Sequence, residues 1–271
     1  MDLRKRITAA TTLLFVPGNR PDRFDKAHQA GADIVIIDLE DAVCPADRAT
    51  ARQHTATWLI ANPDKPTVVR VNPASSVEFE CDVEQLGGLL KAVMLPKSEC
   101  AEDVQRAQTR FGDIPLIALI ESRKGVLHAE EIALSAGVTR LAFGNVDFSK
   151  EMGVRADDHR AQLPARSTLA WASAAAHLPG PIDGVTTHLH DEILARLAAE
   201  HARTLGFAGK LCVHPKQVDA VRMAYIPTAD EIAWARFIKQ KAEHAEMSTI
   251  EEEPVERPVV ARAKQILAQI Q

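Results

Sequence analysis

Three carboxylates lie within four residues at the end of an apolar run. In the stretch GADIVIIDLEDAV, residues 31–43, the acids Asp38, Glu40 and Asp41 follow the apolar residues 34–37. The apolar part predicts a buried strand. Crowded negative charge at the end of such a strand is costly unless it serves a purpose, so the function of these acids needs an explanation.

A second pair of acids ends two later apolar runs. Glu121 ends LIALIE and Asp147 ends LAFGNVD, on two strands that should be neighbours. Neighbouring strands run about 4.8 Å apart, so two carboxylates at matching heights can hold one cation between them. Two oxygen donors, with water in the remaining positions, suit Mg²⁺ or Mn²⁺ better than zinc. The alternative is that each acid stabilises the amino terminus of a following helix.

The segment HLH offers a competing metal site with His188, His190 and Asp191. Two histidines two residues apart on a strand point the same way, but no further ligand follows at a spacing typical of zinc. The pair Glu121 and Asp147 is therefore the preferred metal candidate.

Arg70 lies inside the apolar run VVRVN. An unpaired charge would be costly there, so the guanidinium must face a partner. A permanent cation at this place suits a substrate carboxylate or a developing oxyanion. A salt bridge with one of the acids of DLED is compatible with that role.

The order of elements predicts a (β/α)8 barrel. Near-continuous apolar runs alternate with amphipathic stretches, which indicates parallel strands buried on both faces. A barrel of this kind takes around 250 residues, and an open doubly wound sheet is the alternative. The turn PGNRPDRF after the first run is not the Gly-rich turn of dinucleotide-binding sheets. The predicted strands are residues 12–18, 33–41, 67–73, 92–98, 115–122, 140–148, 182–188 and 210–215.

The barrel prediction brings scattered polar residues to one place, because the carboxyl ends of the strands meet at the mouth that forms the active site. We expect residues 1–226 to form this catalytic barrel and residues 227–271 a helical extension. The polar residues expected at the mouth are Arg20, Asp38, Glu40, Asp41, Arg70, Asn72, Lys97, Glu121, Asn145, Asp147 and His214.

Composition excludes some classes of partner. The chain has 271 residues and a net charge of −5, so it offers no basic field for nucleic acid and no polybasic face for membranes. No run approaches the roughly 20 apolar residues that span a bilayer. The four cysteines form no C-x-x-C pair, which is typical of reduced thiols in the cytoplasm.

Eight motifs together resemble the HpcH/HpaI aldolase and citrate lyase β-subunit family, especially its malyl-CoA and citramalyl-CoA lyases. They cover roughly residues 12–240 in the family's order. The motifs are LFVPGNRPDRFDKA, GADIVIIDLEDAV, VVRVNP, VMLPKSE, LIALIESRKGV, LAFGNVDF, LPARSTLA and GFAGKLCVHPKQV.

The resemblance implies a Mg²⁺-dependent barrel in which Glu121 and Asp147 match the metal ligands. Arg70 matches the arginine that steadies the enolate and the substrate carboxyl oxygens. Glu40 and Asp41 match acids that hold metal-bound water and position that arginine.

The resemblance also implies a substrate carried on coenzyme A. Phe15, Arg20 and Lys26 match positions that contact this group. Family members cleave a 3-hydroxyacyl thioester by a retro-Claisen reaction, and (S)-citramalyl-CoA, yielding acetyl-CoA and pyruvate, is the favoured substrate, with malyl-CoA or citryl-CoA possible. No Schiff-base lysine is required, although Lys97 in MLPKS could suggest one. The resemblance points to a homotrimer or a hexamer.

The carboxyl-terminal segment departs from the family pattern. Lyases of the family end in a segment like DGKMVDRPVV that brings an Asp to a neighbouring subunit as acid or base. Here the stretch is EEEPVERPVV, so Glu256 falls at the place of the Asp and the Gly-Lys-Met part is missing. Without the resemblance, this stretch would be a solvated acidic linker.

Three other functions stay open at this stage. One is a citrate lyase β subunit that acts on a carrier-protein thioester. Another is a pyruvate-dependent class II aldolase without coenzyme A, which the segment VPGNRPDRFDKA argues against. The third is a non-catalytic homologue that binds acyl-CoA.

Overall fold

Eight parallel strands form a closed barrel in the computed structural model of the chain, which describes residues 2–247 and 256–268. Each strand pairs with the next in chain order, and β8 pairs with β1. The predicted (β/α)8 barrel is confirmed. The strands are β1 Thr12–Pro17, β2 Ile34–Asp38, β3 Thr67–Arg70, β4 Val93–Leu95, β5 Leu116–Ile120, β6 Val138–Phe143, β7 Ile182–Asp183 and β8 Gly209–Cys212.

Helices alternate with the strands along the chain, and two short 3₁₀ turns lie at Pro21–Arg23 and Pro45–Asp47. The helices are α1 Leu3–Ala9, α2 Phe24–Gln29, α3 Arg48–Ala61, α4 Val77–Leu86, α5 Ala101–Phe111, α6 Arg123–Leu127, α7 Ala129–Leu134, α8 Asn145–Met152, α9 His159–Ala175, α10 Glu192–Thr204, α11 Gln217–Tyr225, α12 Ala229–Met247 and α13 Arg257–Ala268.

The barrel interior is packed with apolar side chains rather than left open. One cluster joins Ile36 of β2, Met94 of β4 and Leu119 of β5 with Ile7 of α1. Helix α1 precedes β1 and therefore covers the end of the barrel opposite the mouth. The guanidinium of the fully buried Arg140 on β6 donates to the backbone carbonyls of Ile7 and Ala10, which fixes this helix in place.

Most predicted strands run past the end of the observed ladder. The runs 67–73, 92–98 and 182–188 end as strands at Arg70, Leu95 and Asp183. The residues beyond are loops at the mouth, and an apolar pattern does not distinguish the last paired residue from the first loop residue. Helix α3 covers the whole amphipathic stretch RATARQHTATWLIA, and α10 is closed by Gly206 at φ +92°.

The chain divides into two compact units, residues 1–224 and residues 225–271. The second unit contains α12 and α13, whose contact is built from Ala235, Ile238, Ala263 and Ile266. None of the helices in the described parts of the chain is long and apolar enough to cross a membrane.

A buried ion triad joins β7 and β8 to helix α9. Asp183 accepts a bond of 2.9 Å from Arg166 Nε and one of 2.7 Å from Lys210 Nζ, and all three side chains are at most 2% exposed. The two cations lower the pKa of the Asp183 carboxyl although burial acts in the opposite direction. Because β7 has only two residues, this triad supplements a short ladder.

We expect Asp183→Asn to lower the free energy of unfolding by about 3–5 kcal/mol, because it leaves two buried cations undercompensated. Urea denaturation at pH 7 measures the change. The matched control is Asp219→Asn, which breaks an exposed ion pair with Arg222 and should cost less than about 1 kcal/mol. Equal losses in both variants would contradict a stabilising triad.

Candidate active site

A cavity of about 310 Å³ lies at the carboxyl ends of the strands. Acids and one arginine line it together with apolar side chains. The polar group includes Asp38, Asp41, Arg70, Glu121 and Asp147, and the apolar group includes Phe15, Leu119, Phe143, Val185, Leu211 and Val213.

Arg70 and Asp38 form a two-pronged ion pair on neighbouring strands. The two residues are register partners in β3 and β2, and Arg70 Nε and Nη2 donate to the two Asp38 oxygens at 2.7 Å each. The ring of Phe15 lies 4.8 Å from the guanidinium carbon. Burial disfavours the cation, but the Asp38 carboxylate outweighs it and raises the pKa of Arg70 further. The fork of Arg70 is thus fixed in orientation.

Asp38 also shapes the loop that follows it. Its two oxygens accept the backbone N–H groups of Glu40 and Ala42 at 3.0 Å each. One carboxylate therefore sets both the direction of the arginine and the path of the chain that carries the other two acids.

Glu40 and Asp41 lie on the free side of the guanidinium. Arg70 Nη1 is 3.2 Å from Glu40 Oε2, a pair not aligned as a hydrogen bond, and 3.3 Å from Asp41 Oδ2. Lys97 Nζ donates to Glu40 Oε1 at 2.7 Å. Burial raises the pKa of Glu40 in spite of the two nearby cations. Asp41, in contrast, has a side chain that is 51% exposed.

Glu121 follows β5 directly, is buried and lines the cavity. Burial and the charge of Glu40 raise the pKa of its carboxyl to about 8, against the effect of Arg70 and of a bond of 2.9 Å from the backbone N–H of Lys97. A Cβ added to Gly144 would lie only 2.5 Å from Glu121 Oε2, so the chain before α8 lies directly on this carboxylate.

Asp147 lies in the first turn of α8 and not on a strand. It lines the same cavity as Glu121, and its charge is among the causes that raise the pKa of Glu121. The structure thus brings the two predicted metal ligands together.

These carboxylates fit a hard divalent cation. The protein leaves Glu121 short of positive charge, and oxygen donors from carboxylates are what Mg²⁺ binds. Within residues 2–247 and 256–268, no group of three or more His, Cys, Asp or Glu side chains is arranged to hold a metal ion. A cation held by two carboxylates would keep its other positions for water or substrate. His188 and His190 lie in the loop after β7, not on a strand as predicted.

The predicted coenzyme A residues Phe15, Arg20 and Lys26 line a second cavity of about 400 Å³. Phe15 and Val213 line both cavities, so the two adjoin. Arg20 precedes the 3₁₀ turn that starts at Pro21, and its guanidinium is held by Asp22 at 2.9 Å through Nε and Nη2. The helix that follows this turn, α2, has only six residues.

Glu256 lies in the second unit, directly before α13. It is exposed, and its carbonyl accepts the N–H groups of Val259 and Val260. The acidic stretch before it, residues 248–255, lies outside the described residues, so the delivery of Glu256 to a neighbouring subunit stays a prediction.

Sequence reasoning missed the particular importance of Asp38 and Lys97. Asp38 was one of three acids with a possible bridge to Arg70, and only the pairing of β2 with β3 selects it. Lys97 was noted at a strand end, but its contacts to Glu40 and Glu121 depend on a backbone conformation that no pattern indicates.

A closed parallel barrel with acids and an arginine at the carboxyl ends of its strands has the arrangement of a TIM-barrel enzyme. The chain belongs to the HpcH/HpaI aldolase/citrate lyase family, whose model matches residues 11–215.

Two curated relatives and one solved structure illustrate the similarity. A (3S)-malyl-CoA thioesterase of Cereibacter sphaeroides is 31% identical over 95% of this chain and 93% of its own. An L-malyl-CoA/beta-methylmalyl-CoA lyase of the same species is 33% identical over 86% of this chain and 84% of its own. The protein CitE of Mycobacterium tuberculosis, in complex with magnesium, acetoacetate and coenzyme A, superposes with a TM-score of 0.81 at 32% identity, over 96% of this chain and 98% of that one.

We expect Asp38→Asn to lower the free energy of unfolding by about 3 kcal/mol or more, because it removes the main counter-charge of a buried guanidinium. Asp41→Asn is the matched control on the same arginine, and it should cost less than about 1 kcal/mol because Asp41 is half exposed. Urea denaturation of both variants measures the difference. A similar cost for the two substitutions would show that Asp38 does not hold Arg70.

Proposed function

We propose that this protein is a Mg²⁺-dependent lyase of CoA esters that cleaves a 3-hydroxyacyl-CoA into acetyl-CoA and a 2-oxo acid. The observation that carries the proposal is the convergence, around one cavity, of the oriented Arg70 with the carboxylates Glu121 and Asp147. The relatives support the proposal. One is named as a malyl-CoA lyase, and the solved structure of CitE contains magnesium and coenzyme A.

Glu121 and Asp147 would hold the cation, and Mn²⁺ is a second hard cation that suits the same oxygens. When bound, the cation supplies a Lewis acid for the oxygens of the 2-hydroxy acid. The two carboxylates come from the ends of β5 and from the start of α8, so the barrel itself sets their separation.

Arg70 would bind the oxygens on which negative charge develops. As the C–C bond breaks, the hydroxyl proton passes to water at the open mouth of the cavity, the 2-oxo acid forms, and the electron pair of the broken bond passes to the enolate of acetyl-CoA. A guanidinium already oriented by Asp38 needs little rearrangement to stabilise that charge. Glu40 and Asp41 would orient the remaining edge of Arg70 and the water around the cation.

The enolate carbon must take up a proton to give acetyl-CoA. We assign this proton to Glu256, brought by the carboxyl-terminal unit of a neighbouring subunit in a homotrimer or hexamer. A carboxylic acid is a suitable donor, and the Glu arm is one methylene longer than that of Asp.

Coenzyme A would enter through the second cavity. Arg20 and Lys26 offer cations for its phosphates, and Phe15 lies at the junction of the two cavities. Arg20 is held by Asp22 at an exposed position, so a phosphate can compete for it.

The acyl group that suits the cavity best is citramalyl. Its methyl group can lie against the apolar wall that includes Phe143 and Val185. Among the described residues that line the cavity, Arg70 is the one cation, and Asp38 already engages it. The extra carboxymethyl group of a citryl substrate would therefore lack a counter-charge, whereas malyl, with hydrogen in place of methyl, fits.

Other functions are distinguishable by their products. The relative named as a thioesterase makes hydrolysis of the thioester, with release of free CoA, a second candidate. Action on a carrier-protein thioester, or acyl-CoA binding without turnover, are further alternatives. A cytoplasmic location is part of the proposal and is supported by the four free cysteines.

We expect pyruvate and acetyl-CoA from (S)-citramalyl-CoA in the presence of Mg²⁺, with turnover stopped by EDTA and restored by Mg²⁺ or Mn²⁺. The assay also offers (S)-malyl-CoA and citryl-CoA and separates acetyl-CoA, free CoA, 2-oxo acids and hydroxy acids by chromatography. Free CoA with an intact hydroxy acid would indicate a thioesterase. Tight acyl-CoA binding with no product would indicate a carrier-protein substrate or a non-catalytic protein.

We expect Glu256→Gln to lower kcat by about 10²–10⁴ with little change in KM, because it removes the proton donor but no binding group. The matched control is Glu243→Gln, an exposed Glu on α12 of the same unit, which should keep wild-type kcat. Turnover that survives in Glu256→Gln would place the acid elsewhere.

A further inference from the structure

Lys97 has an unusual backbone conformation at the end of β4. Its φ is +49°, one of two positive φ values that non-glycine residues adopt in the described parts of the chain. This left-handed conformation is strained for a residue with a side chain and persists only where the surroundings enforce it. Glycine would adopt it without strain, so the lysine side chain is the feature that requires an explanation.

Both ends of Lys97 bind acids of the candidate active site. Its backbone N–H donates to Glu121 Oε1 at 2.9 Å, and its ammonium donates to Glu40 Oε1 at 2.7 Å. Lys97 thus links Glu121, a proposed metal ligand, to Glu40, a buried acid that is not proposed to bind the metal. The left-handed turn makes this possible, because it points the N–H into the site while the side chain reaches across to the loop after β2.

The bond from the Lys97 ammonium fixes the position of the Glu40 side chain. It is 2% exposed, and its other oxygen has only the Arg70 contact at 3.2 Å, which is not aligned as a hydrogen bond. Because the backbone N–H and the ammonium of Lys97 bind Glu121 and Glu40, the two carboxylates lie within the reach of one lysine side chain. A freed Glu40 carboxylate would therefore add its charge and its oxygens to the cation position.

We propose that Lys97 is a positioning residue that holds Glu40 away from the cation between Glu121 and Asp147, and so keeps coordination positions open for the substrate. This inference depends on the cation site of the proposed function. A third carboxylate would raise the affinity for Mg²⁺, but it would occupy a position that the 2-hydroxy acid needs. Lys97 thus lowers the affinity for Mg²⁺ but leaves a coordination position free for the substrate.

The test is calorimetric titration of Mg²⁺ into the full-length protein without substrate. Lys97→Gly removes the ammonium and keeps the left-handed backbone, so the N–H bond to Glu121 is retained. We expect it to bind Mg²⁺ about tenfold more tightly than the wild type. Lys97→Arg keeps a cation for Glu40 and should stay within about twofold of the wild type. Thermal melting of each variant controls for folding.

A double-mutant cycle shows whether the effect passes through Glu40. In a Glu40→Gln background, Lys97→Gly should give little or none of the tightening seen in the wild-type background. Equal tightening in both backgrounds would mean that the lysine acts only as a diffuse positive charge, and it would overturn the proposal. Unchanged or weaker Mg²⁺ binding by a folded Lys97→Gly would overturn it as well.

Turnover provides the second readout. At saturating Mg²⁺, kcat of Lys97→Gly should fall at least tenfold although metal affinity rises, and Lys97→Arg should recover most of it.

The variant Glu121→Gln distinguishes failure of the role of Lys97 from failure of the proposed function. If the wild type shows no Mg²⁺ binding that Glu121→Gln removes, the cation site and the proposed function fail. If that binding is present but Lys97→Gly matches the wild type, only the role of Lys97 fails.

Discussion

The buried pair of Arg70 and Asp38 is the interaction on which the candidate active site depends. A guanidinium removed from water is stable only with full compensation, and Asp38 provides it through two bonds of 2.7 Å from the neighbouring strand. Because the two residues are register partners, the barrel ladder determines where the charge is held. The same carboxylate binds the N–H groups of Glu40 and Ala42, so the acid loop takes its shape from this pair too.

The site as a whole has more negative than positive charge. Arg70 and Lys97 face five carboxylates, which are Asp38, Glu40, Asp41, Glu121 and Asp147. Arg70 balances the charge of Asp38, and Asp41 is half exposed to water. The deficit falls on Glu121, whose pKa is raised to about 8 by burial and by the charge of Glu40. The apolar side chains beside these acids strengthen the charge interactions within the cavity, which favours the binding of a cation together with an anionic substrate.

Much of the fold was predictable, because buried strands and surface helices have distinct patterns of apolar residues that alternate along the chain. The amphipathic run from Arg48 to Ala61 matches α3 at both ends. Strand ends were predicted too long, because hydrophobic runs continue into the loops that cover the mouth. At the site, residue types near strand ends identified Arg70, Glu121 and Asp147 as members of one cavity. The choice of Asp38 among three acids, and the turn at Lys97, depend on register and on a left-handed backbone.

The contacts that close the barrel also determine the stage of folding at which the candidate active site forms. Strand β1 pairs with β8, nearly two hundred residues later, and α1 is held by Arg140 of β6. Such contacts carry a large entropy of loop closure and form late in folding. On a ribosome, the amino-terminal half of the chain would emerge with Arg70 and Asp38 already made but without the strands that enclose them. The barrel closes only when β8 has been synthesised, so assembly of the candidate active site coincides with completion of the barrel.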